Sequence, residues 1–343
     1  MVNFPKALEE IEKGAFEDCR IDMVRIPDGV KKIPDWTFHW SSTMYLEMNN
    51  VEEIGEGAFA DMEGLVRIFF PRSVSKIKRI GKDAFMNTYF HNDTQDLDLS
   101  QVEFIDERAF CGAFVNLIFS DSYGNSVIEE IPRALNRDNK CQSLLTLGSS
   151  IRKIGGWAFF GNSNLSFLKF HTKKIDEIGT SAFQHTSIRT LYLPEETGML
   201  GKNAFADIPT LREIYCPCAV PPVNKNAFGG LTRNDIPVYI PVGTLEAYRN
   251  APGWDYFTNF VEFAGFPGQS GIEDAVADGA DAVRVYAEGG RLRITGVEPG
   301  TRYTVYTVDG AMISSGIAEA PAALPAGAVY VVKVDGKGYK VKI

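Results

Sequence analysis

Four histidines, five cysteines and one dense run of carboxylates are the residues of this chain whose types could carry chemistry. His39, His91, His171 and His185 show neither the His-x-x-x-His nor the His-Glu-x-x-His spacing that sets two imidazoles on one helical face for zinc. A metal or triad site would have to be assembled from distant segments, so each histidine reads as a residue of a surface turn. Cys216-Pro-Cys218 has one spacer residue where a redox or zinc half-site has two, and no second ligand pair stands nearby. Its first cysteine occupies the inward place that Leu193 holds one repeat earlier, which makes it a small core hydrophobe. The run DTQDLDLSQVE (93–103) offers oxygen ligands for calcium but lacks the loop glycine and closing glutamate of an EF-hand. Its alternation puts Leu97 and Leu99 inward and leaves Asp96 and Asp98 in water. With no phosphate-cradling glycine loop and no Gly-x-Ser-x-Gly elbow, no catalytic residue, metal site or cofactor is expected, and the chain does not read as an enzyme.

The elements behind these residues are set by a repeat. Ile-x-x-x-Ala-Phe recurs as IEKGAF (11–16), IPDWTF (33–38), IGEGAF (54–59), IGKDAF (80–85), IDERAF (105–110), IGGWAF (154–159), IGTSAF (178–183) and LGKNAF (200–205), with degenerate copies IPRAL (131–135) and VNKNAF (223–228). Taking Leu135 as the sixth anchor, the anchors are spaced by 22, 21, 26, 25, 25, 24, 24, 22 and 23 residues. Between them runs a short alternating stretch that often ends in proline, as in LVRIFFP (65–71), LSFLKF (165–170), IRTLYLP (188–194) and LREIYCP (211–217). Alternation over so few residues, closed by a residue that cannot donate to a ladder, predicts a half-buried strand. The Ile-Gly-x-x-Ala-Phe segment is too short for a full helix and is expected to be a turn or short helical coil. Each repeat is then one coil of a solenoid, and the anchoring rings stack from coil to coil.

In each strand the residue between the two inward positions, and the one before them, face outward. The first column reads Arg25, Glu47, Phe69, Asp98, Ile118, Thr146, Lys169, Tyr192 and Tyr215. The second reads Met23, Tyr45, Arg67, Asp96, Asn116, Leu144, Phe167, Thr190 and Glu213. Tyr45, Arg67, Phe69, Phe167, Lys169, Tyr192 and Tyr215 have the aromatic-plus-cation makeup of interface hot spots and are the candidate ligand-binding residues. Strand propensity alone also places aromatics there.

With 45% hydrophobic and 12% aromatic residues the 343-residue chain can bury a large core, which excludes disorder as a whole. Its 35 basic and 44 acidic residues, net −9, oppose phosphate neutralisation, so nucleic acid is not an expected partner. No window has the ~18 uncharged apolar residues of a spanning helix, and no membrane insertion is expected. Residues 1–25 carry charges throughout and show no signal-peptide h-region. Because little precedes the first motif, the natural protein is expected to continue upstream. The five cysteines are odd in number and mostly far apart, so no disulfide framework is implied.

The period, the L-x-x-I-x-L strand and the Ile-x-x-x-Ala-Phe return resemble the leucine-rich repeats of the BspA-like family over residues 1 to about 264. Cys19 in AFEDC fits the same pattern. YCPCAVPPVNKNAF (215–228) and VYIPVGTLEAYRNAPGWDYFTNFVEF (238–263) resemble the family's terminal coil and cap, in which Tyr248, Trp254, Tyr256 and Phe257 are expected to cover the last coil. The resemblance implies an α/β-type leucine-rich repeat solenoid of mostly short strands and turns, about ten coils, flatter than the ribonuclease-inhibitor type.

GFPGQSG (265–271) reads as a glycine- and proline-rich linker, spanning 265–272. Beyond it, VRVYAE (283–288), RLRIT (291–295), RYTVYTV (302–308), MISSG (312–316), VYVVKV (329–334) and YKVKI (339–343), with turns at VDG (308–310) and VDGKG (334–338), predict a small all-β antiparallel sandwich over 273–343. It is Ig-like, or resembles the C-terminal sorting-type domains of Bacteroidetes surface and secreted proteins, without their usual Tyr-Pro-Asn-Pro-like segment.

The expected function is that of a non-catalytic, cell-surface or secreted binding or adhesion protein. It would act as a monomer and present its sheet to a protein or glycan of a host or neighbouring cell. The alternative is a self-associating structural module of a cell-envelope assembly. An extracellular or cell-surface location follows from the resemblance.

Overall fold

The computed structural model describes residues 4–62, 67–69, 76–88, 96–121, 123–231, 233–263, 266, 284–288, 291–295, 301–307, 312–318, 329–334 and 337–342. His91, residues 93–95 of the acidic run, the linker other than Phe266 and the VDG turn at 308–310 lie outside them, as do the side chains of Arg67, Phe69 and Asp96. Contacts divide the chain into two units, Met1–Glu262 and Phe263–Ile343.

The first unit is a solenoid of ten coils with, among the described residues, one short helix, Leu245–Arg249. One strand per coil forms a long parallel layer on one side, with buried rows such as Val24 and Ile26, Leu145 and Leu147, or Ile214 and Cys216. In a second parallel layer of shorter strands, seven end on the isoleucine of the repeat, Ile33, Ile54, Ile80, Ile105, Ile131, Ile154 and Ile178, all buried, and the last two end on Leu200 and Asn224. The repeat pattern did not announce this layer, because two residues are too few to alternate visibly.

The return segment after that isoleucine is a turn, and its backbone is unusual. The residues two before and two after every anchor have φ between 51° and 75°. Bulky side chains hold this left-handed conformation too, among them Trp36, Trp40, Arg108 and Trp157, although it is uncommon outside glycine. Hydrogen bonds over-determine it. The N–H groups of Trp36, Phe38 and Trp40 donate to Glu56, Ala58 and Ala60 of the next coil at 2.8, 2.8 and 3.1 Å, and those of His39 and Ser41 donate back to Trp36 and Phe38 at 3.3 and 3.0 Å. Alternate N–H groups thus point along the array and back into the coil, satisfying a segment that is neither helix nor strand. The glycine after the isoleucine permits that approach, since a Cβ on Gly179 would stand 2.6 Å from the backbone nitrogen of Gly156.

Coils held this close bring their anchoring rings to stacking distance. Phe16, Phe38, Phe59, Phe85 and Phe110 stack at 5.1–5.4 Å, and Phe159, Phe183, Phe205 and Phe228 at 5.3–5.7 Å. Between the two runs the sixth anchor is Asn136, not Leu135. Asn136 lies midway between left-handed Ala134 and Asp138, and its N–H donates to Ala158 as Phe38 does to Ala58. Reading the degenerate copy for an apolar anchor misplaced it by one residue. Phe4 meets Phe16 edge-on at one end; at the other, Phe228 packs against Trp254 and Phe257. Tyr248 and Trp254 of the cap are fully buried, whereas Tyr256 is 40% exposed and donates to the Leu231 carbonyl rather than covering the coil.

The second unit is all β and antiparallel. Arg284–Glu288 and Arg291–Thr295 form a hairpin, and a four-stranded sheet runs in the order Met312–Ile317, Arg302–Thr307, Val329–Val334, Lys337–Lys342. Among the described residues Leu292, Ile294, Tyr303, Val305, Ala318, Val332 and Val334 are buried in it. Phe266 is buried as well, with its ring 5.4 Å from that of Phe263.

Phe183, stacked on both sides, should be among the costliest positions to truncate. Phe183→Ala is expected to destabilise the solenoid by ~3–5 kcal/mol through the cavity it leaves, whereas Lys202→Ala at an exposed turn position should cost under ~0.5 kcal/mol. Denaturant midpoints of the two variants check this.

Candidate functional site

The seven candidate residues fall on three separately paired stretches of the long layer. Tyr45, Arg67 and Phe69 lie on the strands Arg20–Ile26, Ser42–Met48 and Arg67–Phe69, where Tyr45 is the register partner of Met23 and Arg67. In that stretch Arg25 forms an ion pair with Glu47 at 2.7 Å. Phe167 and Lys169 lie on Phe167–Phe170, opposite Leu144 and Thr146. Tyr192 and Tyr215 lie on Thr190–Tyr192 and Glu213–Tyr215, paired in turn with Val238–Ile240 and Phe260–Glu262.

In the last stretch candidate rings meet. Tyr192, Tyr215 and Tyr239 are register partners and stack at 4.5 and 4.4 Å with interplanar angles of 18° and 9°. The strand rise that stacks phenylalanines inside the solenoid stacks tyrosines outside it. Tyr239 is not among the residues the sequence singles out, although VYIP (238–241) repeats the strand-and-proline pattern of LYLP (191–194), because that segment resembles the cap. Thr190 donates to Glu213 at 2.9 Å, and the Tyr215 hydroxyl donates to the same carboxylate at 3.3 Å. The rings are half-buried, and burial together with Glu213 pushes the Tyr215 hydroxyl well above the ordinary tyrosine range. With ring faces turned on one another, this stretch offers water ring edges and hydroxyls held in fixed rotamers.

Several of the other chemistry-bearing residues pack or bond within the fold. Cys216 is fully buried with its Sγ 3.1 Å from the Tyr248 hydroxyl, which donates to the Cys218 carbonyl at 2.8 Å. Cys218 donates to the Pro194 carbonyl at 3.3 Å. Burial raises the Cys216 thiol, and a hydrogen bond from it lowers Cys218. His39 lies between Glu17 and Asp61, with its ring stacked on Trp40 at 4.3 Å. His171 packs over Gly124, and burial, aided by Lys169, lowers its pKa. His185 is exposed beside Phe160. Leu97 and Leu99 are buried and Asp98 is exposed. Among the described residues no three histidine, cysteine or acidic side chains come together as a metal site, and no helix is long and apolar enough to cross a membrane.

With this geometry in hand, the chain can be compared with known proteins. A family model described as "BspA type Leucine rich repeat region" matches residues 1–118 and 129–248, in six copies. A leucine-rich repeat protein from Bacteroides ovatus ATCC 8483 is similar in structure, with a TM-score of 0.56 at 18% identity over 74% of this chain and 64% of that one. This chain therefore spans under two thirds of that protein. The pneumococcal vaccine antigen PcpA aligns at a TM-score of 0.37 and 15% identity, over 71% of this chain and 79% of that one. A leucine-rich cell surface protein from Faecalibacterium prausnitzii A2-165 aligns at 0.35 and 17%, over 72% and 88%. A comparison with curated proteins returned no match.

The displaced Tyr215 ionisation sets a pH dependence. The neutral ring is favoured in the folded chain, while an unfolded tyrosine loses its proton near pH ~10. Its stabilisation is therefore complete below pH ~10 and falls as pH rises beyond that. Tyr215→Phe is expected to flatten the loss of stability between pH ~9.5 and ~11.5, measured as urea midpoints against pH.

Proposed function

The chain belongs to the BspA-type leucine-rich repeat family, and on that premise we propose that it is a non-catalytic binding protein, secreted or displayed at the cell surface. The outer face of its long layer meets a protein or glycan of a host or neighbouring cell. The observation that carries this reading is the Tyr192–Tyr215–Tyr239 stack, on a stretch of that layer in which four strands pair continuously.

Binding through such a surface costs little ordering entropy, because the rings are already immobilised by one another. Aromatic side chains of this kind carry a large share of interface energy where they are well packed. Phe167 and Lys169 continue the face on one side; Tyr45, Arg67 and Phe69 lie further along it, at the amino-terminal end. The family supplies the expectation of an exported scaffold, and the histidines, thiols and carboxylates engaged elsewhere leave recognition by shape and hydrogen bonding as the activity this face supports.

Replacing Tyr192, Tyr215, Tyr239 and Phe167 with serine is expected to reduce binding to immobilised host matrix proteins or to a glycan panel by a hundredfold or more, at ~2 kcal/mol or more for each anchor that is a hot spot. Lys202→Ala with Lys225→Ala, on the return turns, should bind as wild type. Circular dichroism verifies that both variants are folded. Undiminished binding by the serine variant would place the site elsewhere, and concentration-dependent sedimentation of the wild type would point instead to self-association.

A further inference from the structure

Three separate lines of continuity stop between the fifth and sixth coils, and a fourth does not. Phe110 stacks on Phe85 on one side, but on its sixth-coil side the next anchor position holds Asn136 rather than a phenylalanine. In the long layer, Asn116–Ile118 pairs with the strand before it and Leu144–Leu147 with the strand after it; across the gap the only strand bridge among the described residues is Phe119 to Leu147. In the short layer, pairing likewise ends at Phe104–Ile105 and resumes at Glu130–Ile131. The return turns alone run through unbroken: Arg108, Phe110 and Gly112 donate to Arg133, Leu135 and Arg137 at 3.1, 2.8 and 2.7 Å.

Side-chain amides close the gap where strands and rings do not. Asn136, Asn139 and Gln142 are all buried. Gln142 accepts from the Leu117 N–H at 2.8 Å and donates to the Leu117 carbonyl at 3.1 Å, standing in for a strand that would have paired there. Asn139 donates to the Val115 carbonyl at 2.7 Å and to Asn136 at 2.9 Å. Phe119, turned inward from the fifth coil, meets Phe159 edge-on at 6.3 Å and fills the space a sixth ring would occupy. On the far side of the long strands, a loop held by Asp121 crosses the gap: Gly124 accepts from the Ser149 N–H at 2.8 Å, and Ser150 donates to the Ser126 carbonyl at 2.7 Å.

We propose that this seam is a hinge built into the solenoid. The continuous return turns are its pin, and the amide cluster together with the bonds that Gly124 and Ser126 accept from Ser149 and Ser150 is the catch that holds it shut. Opening about the pin breaks side-chain bonds, one strand bridge and two loop backbone bonds, from the Ser149 N–H to Gly124 and from the Val127 N–H to Ser100, where opening at a fully paired junction would break ladder bonds and a ring stack together. The first five coils and the last five therefore open and unfold as two blocks, and the two halves of the outer face can change their relative tilt while each stays rigid.

Hydrogen exchange on the full chain, read by mass spectrometry across a urea series, tests this. Peptides from 20–59 and from 167–215 are expected to lose protection at different urea concentrations, and the Leu117 amide to exchange at least tenfold faster than that of Leu191 below either midpoint. Gln142→Met, which removes the part of the catch that holds Leu117 without enlarging the core, should speed exchange at Leu117 at least tenfold more and leave the 20–59 peptides unchanged. Coincident loss of protection in both halves of the wild type, with Leu117 exchanging only at the common midpoint, would overturn the hinge, and that measurement stands even if the variant fails to fold.

Discussion

The distance between coils is the constraint on which the rest of this structure depends. It is set in the return turns, where two left-handed residues per coil turn alternate N–H groups onto the neighbouring coil. That conformation is disfavoured for tryptophan, arginine or aspartate in isolation and persists because the array over-determines it. Once coils stand at hydrogen-bonding distance, whatever ring occupies an anchor position must stack on its neighbour, and the phenylalanine run inside the solenoid follows.

The same rise governs the outer surface. Tyrosines in one column of adjacent strands have no choice but to stack, as Tyr192, Tyr215 and Tyr239 do. Where the column mixes types, as at Arg25 and Glu47, the result is an ion pair instead. The face is thus a printout of column composition at fixed spacing, and its side chains can change while the inner rows stay untouched. Partly exposed ion pairs of this kind add little stability singly but favour in-register stacking.

Where the array departs from its own rule, polar groups take over. Asn136 interrupts the aromatic run, and buried carboxamides restore by side-chain hydrogen bonds what strands supply elsewhere. Such a cluster is costly to bury unless satisfied. Its members bond to one another and across to Val115 and Leu117, which ties their placement to the junction they close. The two thiols near the last coil follow the same economy: Cys216 and Cys218 fill inward positions, and Tyr248 seals them with its hydroxyl.

The sequence by itself determined the period, the coil number, the inward rows, the six strands of the carboxyl-terminal unit and the columns that face outward. Each of these rests on side-chain type recurring at a fixed interval, and local alternation is enough to read it. Three things only the tertiary structure decided. The second layer of strands is two to five residues per coil and exists only because neighbouring coils supply its partners. The anchor at Asn136 is defined by the left-handed residues around it, which apolar pattern reading passed over for Leu135. The joining of Tyr192 and Tyr215 with Tyr239, and their separation from Tyr45, Arg67 and Phe69, depends on where inter-coil pairing continues and where it stops. Pairing is a relation between coils some 23 residues apart, set by backbone hydrogen bonds that no residue type encodes alone.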